Sequence, residues 1–500
     1  MQHSPIIAYL SETSPDKIET GFLAYLANLT EVAKVSPETV KSIIKELADQ
    51  RTYMKLIASE NYSSLATQLA MGNLLTDKYA EGFPHHRFYA GCDNVDDIEA
   101  YACEQAKKLF GCEHAYVQPH SGADANMVAF LAILKTRLEA ATLKRLEQKN
   151  VSNLSTEEWN KLRHELGNQR LLALDYYSGG HLTHGYRFNV SAQLFESFSY
   201  NVNRETSLLD YDEIEAQAME VRPFILMAGY SAYPRLVNFR RMREIADKVG
   251  AVFMVDMAHF AGLVAGKVFT GDYDPVPFAH VVTTTTHKTL RGPRGGMVLC
   301  TDEFSEQVDK GCPSVLGGPL PHAIAAKAVA FTEANTPQFK KYASKIVENC
   351  QTMAKALIAE GMHVVSGGTD NHLLLVDVRP FELNGRQAEN ALRECRLTMN
   401  RNALPFDTNG PWYTSGLRIG TPAITTLGMS ESEMKEIASI IKLVLAHTKV
   451  KTLKSGKKSK AKYSLAESAK TEAVERVKTL LDKYPVYPQL DLTFLQEHFG

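Results

Sequence analysis

Short apolar runs alternate with amphipathic helical stretches from about residue 75 to about residue 335. Runs of this length, bounded by turn residues, are typical of buried strands. The predicted strands are 115–118, 171–174, 195–198, 223–227, 251–256, 280–284 and 297–300. Strands that alternate with helices form a largely parallel sheet with helices on both faces. The pattern therefore predicts an α/β domain here.

Different patterns flank this region on both sides. Helical runs precede it, including Pro37–Arg51, where Ser36 is a suitable N-cap before a proline in the first turn. Long helices and a few strands follow it, among them 372–378 and 416–419. The predicted divisions are a helical N-terminal arm at 1–74, a large domain at 75–335, and a small α/β domain with a basic helical tail at 336–500. Three domains suit a chain of 500 residues.

Two charged segments stand apart from this pattern. Residues 135–170 form a predicted helical insertion, and Ser155 with Glu158 makes a capping box inside it. We expect a solvated surface hairpin there, with a partner-docking element as the alternative. Residues 449–463 are basic and of low complexity, which favours a solvated linker over a nucleic-acid site.

Composition excludes several classes of protein. The net charge of −2 provides no field to hold nucleic acid or an anionic membrane. The seven cysteines are odd in number and lack CxxC spacing, so we expect no metal site and no disulfide framework. The N-terminus lacks the features of a signal peptide, and no stretch reaches the roughly 18 apolar residues of a membrane helix. A cytoplasmic location is expected.

The chemistry is concentrated in Val281–Gly296, VVTTTTHKTLRGPRGG, where Lys288 follows a buried strand. A lysine that acts as a nucleophile must have a pKa below its usual value of about 10.4. Burial and the nearby cations His287, Arg291 and Arg294 would lower it. Lys288 is therefore a candidate for forming an imine; the alternative is an ordinary loop lysine on the surface.

A carboxylate ends the preceding strand. Asp256 closes the apolar run of 251–256, and the carboxyl ends of parallel strands face the ligand crevice of α/β folds. Pyridoxal phosphate needs a lysine for its imine and an acid beside its pyridine nitrogen, so Lys288 and Asp256 match it. The alternative is that Asp256 only caps the segment that follows.

Two further elements suit such a cofactor. Ser121 and Gly122 begin a helical run after a short strand, and free N–H groups at a helix start bind phosphate. The alternative is a simple helix cap. Glycines around His181 would let that ring approach a flat ligand, although a single histidine is more often structural.

Together these motifs resemble the serine hydroxymethyltransferase family over residues 50 to 445. The matching stretches are LIASENYSS (Leu56–Ser64), DKYAEGFPHHRFYAGC (Asp77–Cys92), VQPHSGADAN, SGGHLTHG, VDMAHFAGLVAG, TTTTHKTLRGPRGG, VVSGGTDNHLLLVD (Val364–Asp377) and TSGLRIGTPAITTLG (Thr414–Gly428). The resemblance implies pyridoxal-phosphate fold type I, with a mostly parallel seven-stranded sheet of the aspartate-aminotransferase type.

The resemblance also implies the reaction. The hydroxymethyl carbon of L-serine is transferred reversibly to tetrahydrofolate, giving glycine and 5,10-methylenetetrahydrofolate through aldimine and quinonoid intermediates. Pyridoxal 5'-phosphate would be bound covalently to Lys288. Cleavage of 3-hydroxy amino acids and slow racemisation or transamination of alanine are expected side activities. The alternative is a folate-independent aldolase or an alanine racemase-like enzyme.

Residue by residue, the resemblance implies a complete site. The implied catalytic residues are Lys288, Glu81, Tyr79 and His259. The implied cofactor-binding residues are Lys288, Ser121, Gly122, His181, Ser231, Asp256, Ala258, His287, Gly317 and Gly318. The implied substrate-binding residues are Ser59, Tyr89 and Arg418. Glu81 would handle the proton of the hydroxymethyl oxygen; the alternative for it is a structural ion pair with Arg87.

A shared active site is part of that expectation. Tyr79, Glu81, Gly317 and Gly318 match segments that reach into the site of a second subunit, so a homodimer is the minimum unit and a tetramer is left open. The loop before the glycine pair departs from the family, because PSVLGGP (313–319) replaces a Gly-rich PGGQGGP. We expect the contacting glycines to be retained on a stiffer loop.

The resemblance places folate around a defined set of residues. They are Tyr176, Gly180, His181, Leu182, Asn402, Gly410, Pro411 and Trp412. Tyr176 replaces a leucine common in bacterial relatives, and Gly410-Pro411-Trp412 replaces Ser-Pro-Phe. Both changes add flat aromatic surface, so we expect folate binding to be retained with an altered affinity.

Overall fold

The computed structural model of the chain describes residues 4–500. The α-helices are α1 Pro5–Glu12, α2 Thr20–Val35, α3 Pro37–Thr52, α4 Leu65–Leu69, α5 Asp93–Phe110, α6 Gly122–Leu134, α7 Ala140–Arg145, α8 Thr156–Leu166, α9 Ser191–Leu194, α10 Tyr211–Val221, α11 Phe239–Val249, α12 Ala261–Ala265, α13 Asp302–Asp309, α14 Gly311–Ser314, α15 Pro321–Ala334, α16 Pro337–Ala359, α17 Gly385–Glu394, α18 Pro422–Thr426, α19 Glu431–Ala446, α20 Glu467–Lys483 and α21 Leu492–Phe499. No helix within residues 4–500 has both the length and the apolar content needed to cross a bilayer.

The strands fall into one large sheet, one small sheet and three two-stranded pairs. They are β1 Met54–Lys55, β2 Gly82–Phe83, β3 His86–Arg87, β4 His114–Tyr116, β5 Gln169–Leu174, β6 Phe195–Tyr200, β7 Ile225–Gly229, β8 Val252–Asp256, β9 Val281–Thr285, β10 Gly296–Cys300, β11 His363–Val364, β12 Leu373–Asp377, β13 Leu397–Thr398, β14 Asn400–Asn402, β15 Gly416–Gly420, β16 Thr448–Thr452 and β17 Lys458–Leu465.

All seven strands predicted between residues 115 and 300 lie in the large sheet. Its order is β4-β10-β9-β8-β7-β5-β6, and only β10 runs antiparallel to its neighbours. Every residue of β7, β8, β9 and β10 is buried, as a strand covered on both faces requires. The α/β fold class predicted from the sequence is confirmed.

Helices cover both faces of this sheet. One apolar layer includes residues of α5, α11, α15 and the start of α16, and the other includes residues of α6 and α13. The small sheet has the antiparallel order β11-β12-β15-β14, and its core is completed by α16, α17, α19 and α20. The boundaries of the three predicted domains stay a prediction.

The N-terminal arm packs against the other end of the chain. Phe22 of α2 and Ile44 of α3 share an apolar cluster with Phe494 of α21. The guanidinium of Arg51 donates to the carbonyls of Val486, Tyr487 and Leu490 at 3.1, 2.6 and 2.7 Å. The arm and the C-terminal segment therefore form one packed unit.

The predicted insertion at 135–170 is helical, and it has buried contacts. The α6 helix continues through a π-helical turn, Lys135–Glu139, into α7, and α8 begins with the predicted Ser155–Glu158 capping box. Leu162 of α8 is only 1% exposed, and Leu166 packs against the apolar layer that includes α6 and α13, so the segment contacts the body of the protein as well as facing solvent.

The prediction of a linker at 449–463 is wrong. The β16 and β17 strands pair there as an antiparallel hairpin. Val450, Tyr463 and Leu465 pack against the core of the small sheet, while the lysines between them face solvent. The apolar alternation is sparse among so many lysines, which is why composition suggested a linker.

We expect Arg51→Met to release the C-terminal segment. The change removes three hydrogen bonds from a charged donor, so the free energy of local opening in α21 should fall by about 2 kcal/mol. Native-state hydrogen exchange of the α21 amides measures it. Lys34→Met, at an exposed ion pair on α2, is the control and should shift that value by less than about 0.5 kcal/mol. Equal effects of the two changes would contradict this role of Arg51.

Candidate active site

A cleft of about 440 Å³ opens at the carboxyl ends of the central strands, where the small sheet faces the large one. This volume is in the range of small-molecule sites. Its lining residues are Ser59, Glu60, Tyr176, Gly180, His181, Leu182, Ser231, Ala232, His259, His287, Lys288, Arg294, Asn400, Arg401, Asn402, Ala403, Pro411, Thr414 and Arg418. The cleft therefore lies at the edge where α/β folds bind ligands.

Lys288 faces this cleft three residues after β9 ends. Burial lowers the pKa of Lys288 to about 8, although Asp256 opposes that shift; Arg418 and Arg294 lower it further. Arg294 thus lowers the pKa of Lys288, as the sequence suggested. Arg291 was expected to do the same, but its guanidinium lies over the Tyr342 ring instead, 4.5 Å from the ring centroid. A larger fraction of the amine is therefore neutral near neutral pH in Lys288 than in an exposed lysine, which favours its action as a nucleophile.

A motif of the N-terminal arm fixes the Lys288 loop. The Nδ2 of Asn61 donates to the carbonyl of Lys288 at 3.0 Å and to the hydroxyl of Tyr342 at 2.7 Å. Thr285 and Thr289 hold the neighbouring segment, because their hydroxyls donate to the carbonyls of Ala258 and His259. The conspicuous threonines of this motif thus position backbone.

Asp256 is a buried carboxylate held by neutral and ring N–H donors. Its Oδ2 lies 2.9 Å from Nδ2 of Asn126 and 3.2 Å from Nε2 of His184. Burial alone would raise the pKa of Asp256, but the hydrogen bond and charge of His184, the charge of His181 and the Asn126 amide outweigh it and leave that pKa below its usual range. Its Oδ1 also accepts from the Ala258 amide at 3.0 Å, so Asp256 caps the following segment as well.

At the predicted phosphate site, the start of α6 packs closely against the sheet. Ser121 is the N-cap of α6, and its hydroxyl oxygen accepts from the Asp124 amide. A Cβ at Gly122 would come 2.8 Å from Cγ2 of Thr285, so only glycine fits there without a shift. The adjacent strand end also carries His287, whose buried Nδ1 has no hydrogen-bond partner within residues 4–500. Helix amides and this nitrogen are suitable phosphate ligands.

His181 presents a neutral ring to the cleft. Its Nδ1 lies 2.7 Å from the hydroxyl of Thr183, and burial lowers the pKa of His181 to about 4. A neutral imidazole can stack on a flat ligand without adding a charge to it.

Arg418 is placed to bind an anion. Its Nε donates to Oδ1 of Asn400 at 3.0 Å and its Nη1 donates to the carbonyl of Ser231 at 2.6 Å. Within residues 4–500 its Nη2 has no hydrogen-bond partner. Burial lowers the pKa of Arg418 to about 10, so the guanidinium is still charged at neutral pH. Its free donors suit a carboxylate.

The residues present fit pyridoxal phosphate. Lys288 supplies the amine and Asp256 a carboxylate that remains ionised, from the ends of adjacent strands. Neutral His181 supplies a flat face, and the unpartnered nitrogen of His287 supplies a donor near the helix start. An acid beside the pyridine nitrogen and an imine-forming lysine are what the cofactor requires.

A second group of predicted site residues lies outside the cleft of this chain. Tyr79, Glu81, Tyr89 and Gly318 gather into what we call the tyrosine patch. The Tyr79 hydroxyl donates to Oε1 of Glu81 at 3.2 Å, and the rings of Tyr79 and Tyr89 are 5.1 Å apart. Tyr79 is 58% exposed and Tyr89 48% exposed. Gly317, which directly precedes Gly318, is also exposed.

The alternative suggested for Glu81, an ion pair with Arg87, is not formed. Arg87 pairs with Asp96 at 2.8 Å and with Glu99 at 2.7 Å instead. The carboxylate of Glu81 is left to the Tyr79 hydroxyl at the rim of the tyrosine patch.

Most of the predicted folate residues line the cleft. They are Tyr176, Gly180, His181, Leu182, Asn402 and Pro411. Gly410 and Trp412 are not among the lining residues, and Trp412 is 71% exposed. The chain turns at Gly410, with φ of +70°, so that Pro411 faces the cleft and Trp412 faces solvent.

Sequence reasoning did not select Asn126, His184 or Asn400, which hold Asp256 and Arg418 in place. Asn126 had a usable signal, because it is a buried amide in the otherwise apolar centre of α6. His184 lies three residues after His181 in the same motif. Asn400 lies directly opposite Arg418 on the neighbouring strand, which only the strand register reveals.

Comparison with known proteins agrees with this geometry. The family model described as serine hydroxymethyltransferase matches residues 32–148 and 150–441, a range that includes most of 135–170. The serine hydroxymethyltransferase of Treponema pallidum (strain Nichols) is 61% identical over 500 residues, which cover 100% of this chain and 87% of the relative. That of Salinispora tropica is 56% identical over 94% of this chain and 98% of the relative. That of Chlamydia trachomatis serovar D is 49% identical over 95% of each.

We expect the reactivity of Lys288 to rise through about pH 8. Competitive acetylation of the cofactor-free protein across pH, read by mass spectrometry, measures the midpoint. Arg294→Met removes a neighbouring positive charge, which favours the protonated amine, so the midpoint should move to higher pH. Arg291→Met is the matched control and should leave it in place. A wild-type midpoint near that of exposed lysines would contradict the shift.

Proposed function

The chain belongs to the serine hydroxymethyltransferase family, and we propose that it performs that family's reaction in the cleft around Lys288. The enzyme transfers the hydroxymethyl carbon of L-serine reversibly to tetrahydrofolate, giving glycine and 5,10-methylenetetrahydrofolate. The observation that carries the assignment of the cleft is that Lys288 and Arg418 line one space between two sheets, while Asp256 ends the strand adjacent to the one that leads to Lys288.

Bound pyridoxal phosphate supplies an electron sink for bonds at the substrate Cα. Lys288 would hold it covalently, and Asp256 would pair with its ring nitrogen, because that carboxylate keeps its charge when buried. Ser121, Gly122 and His287 would hold the phosphate, and His181 would cover one face of the ring. Ser231 and Ala258, which follow the ends of β7 and β8, would contact the ring.

Arg418 would bind the carboxylate of serine or glycine. The bonds to Asn400 and Ser231 fix the guanidinium plane, and Nη2 remains for the ligand. Ser59 lines the same side of the cleft and would add a hydroxyl contact. A cation held in a fixed position orients the substrate, because of the two charged groups of the substrate the cation binds only the carboxylate.

The residues of the tyrosine patch, together with Gly317, would act in the site of a partner subunit. Glu81 is the proposed proton handler for the hydroxymethyl oxygen, assisted by Tyr79, while Tyr89 contacts the substrate and Gly317 and Gly318 approach the phosphate. None of these five residues lines the cleft of its own chain, which supports a homodimer with shared sites. Exposed aromatic rings are also typical of a protein interface.

Tetrahydrofolate would enter past Tyr176 and Leu182, with Asn402 and Pro411 on the opposite wall. The Tyr176 ring packs at 4.9 Å against Tyr186, so its position is supported from outside the cleft. We also propose a cytoplasmic location and a side cleavage of 3-hydroxy amino acids in the same cleft.

Mixing two inactive variants tests the shared site. Lys288→Ala and Glu81→Gln are each expected to lose activity. In a hybrid dimer, one site combines the intact Lys288 of one chain with the intact Glu81 of the other. Random exchange of subunits should therefore restore about a quarter of wild-type activity, because half of the dimers are hybrids with one working site. Absence of restoration, despite exchange shown by mass spectrometry, would place both residues in one chain.

Tyr176→Leu tests the folate wall. Glycine should give a strong long-wavelength absorption band only when tetrahydrofolate is added, and titration of that band measures folate affinity. The substitution should change the affinity severalfold, because it removes a flat surface from the cleft. Tyr177→Leu is the matched control, since Tyr177 is not a lining residue. A glycine response that ignores folate would favour a folate-independent enzyme, and an unchanged affinity would remove Tyr176 from the folate wall.

A further inference from the structure

Two stacked histidines lie behind the substrate side of the cleft. His259 lines the cleft, and its Nδ1 lies 3.2 Å from Nε2 of His372. The two rings are 27° from parallel, with centroids 5.4 Å apart. His259 is 3% exposed and His372 is fully buried. Within residues 4–500 the other ring nitrogen of His259, Nε2, has no protein partner, and it is not enclosed as His372 is.

Both rings are held by their backbones. The His259 carbonyl accepts from the Thr289 hydroxyl at 2.8 Å, and the His372 carbonyl accepts from the Thr421 amide at 3.1 Å. Asn371, next to His372, donates to the Tyr230 hydroxyl and to the Tyr233 carbonyl. The contact between the two rings is therefore fixed by both sheets.

The surroundings keep both histidines neutral. Burial lowers the pKa of His372 to about 3, and the charges of Arg418 and Lys288 lower it further. The pKa of His259 is well below its usual value, first because of burial and then because of Lys288, Arg418, His372 and His181. A neutral imidazole has one N–H and one lone pair, so the hydrogen bond between the two facing nitrogens requires a proton on one of them and a lone pair on the other.

The other ring nitrogen of His372 determines which of the two facing nitrogens carries the proton. Its Nδ1 is buried and has no hydrogen-bond partner within residues 4–500. If His259 donated to His372, the proton of His372 would have to sit on that Nδ1, as a buried N–H without an acceptor. Buried N–H groups without partners are rarer in proteins than acceptors without partners. The favoured arrangement puts the His372 proton on Nε2, where it is donated to His259.

We propose that His372 is a positioning residue that fixes His259 as the tautomer with its proton on Nε2, so that His259 acts as a hydrogen-bond donor toward the cleft. This inference rests on the proposed function for its meaning in the reaction. A donor beside Arg418 and Lys288 suits a negatively charged or hydroxyl oxygen of the substrate. It also means that His259 does not accept the serine proton, which leaves that task to Glu81.

Nitrogen-15 NMR of histidine-labelled holoenzyme tests the tautomer directly. The spectrum is recorded without serine or folate, so the result does not depend on catalysis, and His259→Gln and His372→Gln assign the signals. For His259 we expect a protonated Nε2 and an unprotonated Nδ1. A proton on Nδ1 of His259 in the wild-type enzyme would overturn the proposal, whether or not the proposed function holds.

Two variants of similar length separate positioning from packing. His372→Gln keeps an N–H donor near the same place, and His372→Met does not. The Met variant should lose the fixed His259 tautomer and raise the KM for serine severalfold, and the Gln variant should restore both. His280→Met, at a histidine whose Nδ1 accepts from the Phe253 amide elsewhere in the sheet, is the control and should leave the His259 signals unchanged. Identical His259 signals in wild type and His372→Met would overturn the proposal, as would equal KM values for the Gln and Met variants.

Discussion

The rest of the site depends on the hydrogen bonds that hold the buried carboxylate of Asp256. A charge enclosed at the end of a central strand is costly unless donors surround it. Asn126 and His184 supply those donors, and each is held in turn by a different element. Thr283 of the neighbouring strand donates to Oδ1 of Asn126 at 2.5 Å, which orients the amide toward Asp256. The sheet, α6 and the loop after β5 are therefore bound together through one anion.

Few of the basic groups around Asp256 would compete to bind a substrate carboxylate. Lys288 has a lowered pKa and the histidines that line the cleft are neutral, so the permanent cations that line it are Arg294, Arg401 and Arg418. In a space of low polarity, two full cations side by side would repel each other, and each lowers the pKa of the other. Arg294 is exposed and Arg401 is paired with Glu389, which leaves Arg418 as the binding point for a carboxylate inside the cleft.

The sequence predicted the parts of the structure that local patterns encode. The seven strands, the lysine after β9 and the acid at the end of β8 all follow from periodicity and from residue types at strand ends. The contribution of Arg418 to the Lys288 pKa could not be predicted, because these residues are 130 positions apart and meet only when the two sheets pack. The β16–β17 hairpin was missed because lysines conceal its apolar alternation. The outward direction of Trp412 depends on a turn at Gly410 that composition does not reveal.

The tyrosine patch, which we propose acts in the site of a partner subunit, is ordered by contacts within its own chain. Nη1 of Arg87 donates to the carbonyls of Ala80 and Gly82, the two neighbours of Glu81. Its Nη2 is paired with Glu99, which is 1% exposed. The backbone on both sides of Glu81 is therefore fixed by a buried ion pair before any partner arrives.

The patch is also tied to the glycine loop. Sγ of Cys312 accepts from the Gly82 amide and donates to the Gly317 carbonyl, each at 3.4 Å. A thiol thus connects the segment of Glu81 with the segment of Gly317, although 230 positions separate Gly82 from Cys312 in sequence. Since binding is stronger when less ordering is required, a patch already fixed by its own chain would lower the cost of completing a partner's site in the proposed homodimer. The stiffer PSVLGGP loop, which departs from the Gly-rich loop of the family, would likewise need less ordering to take part in that proposed site.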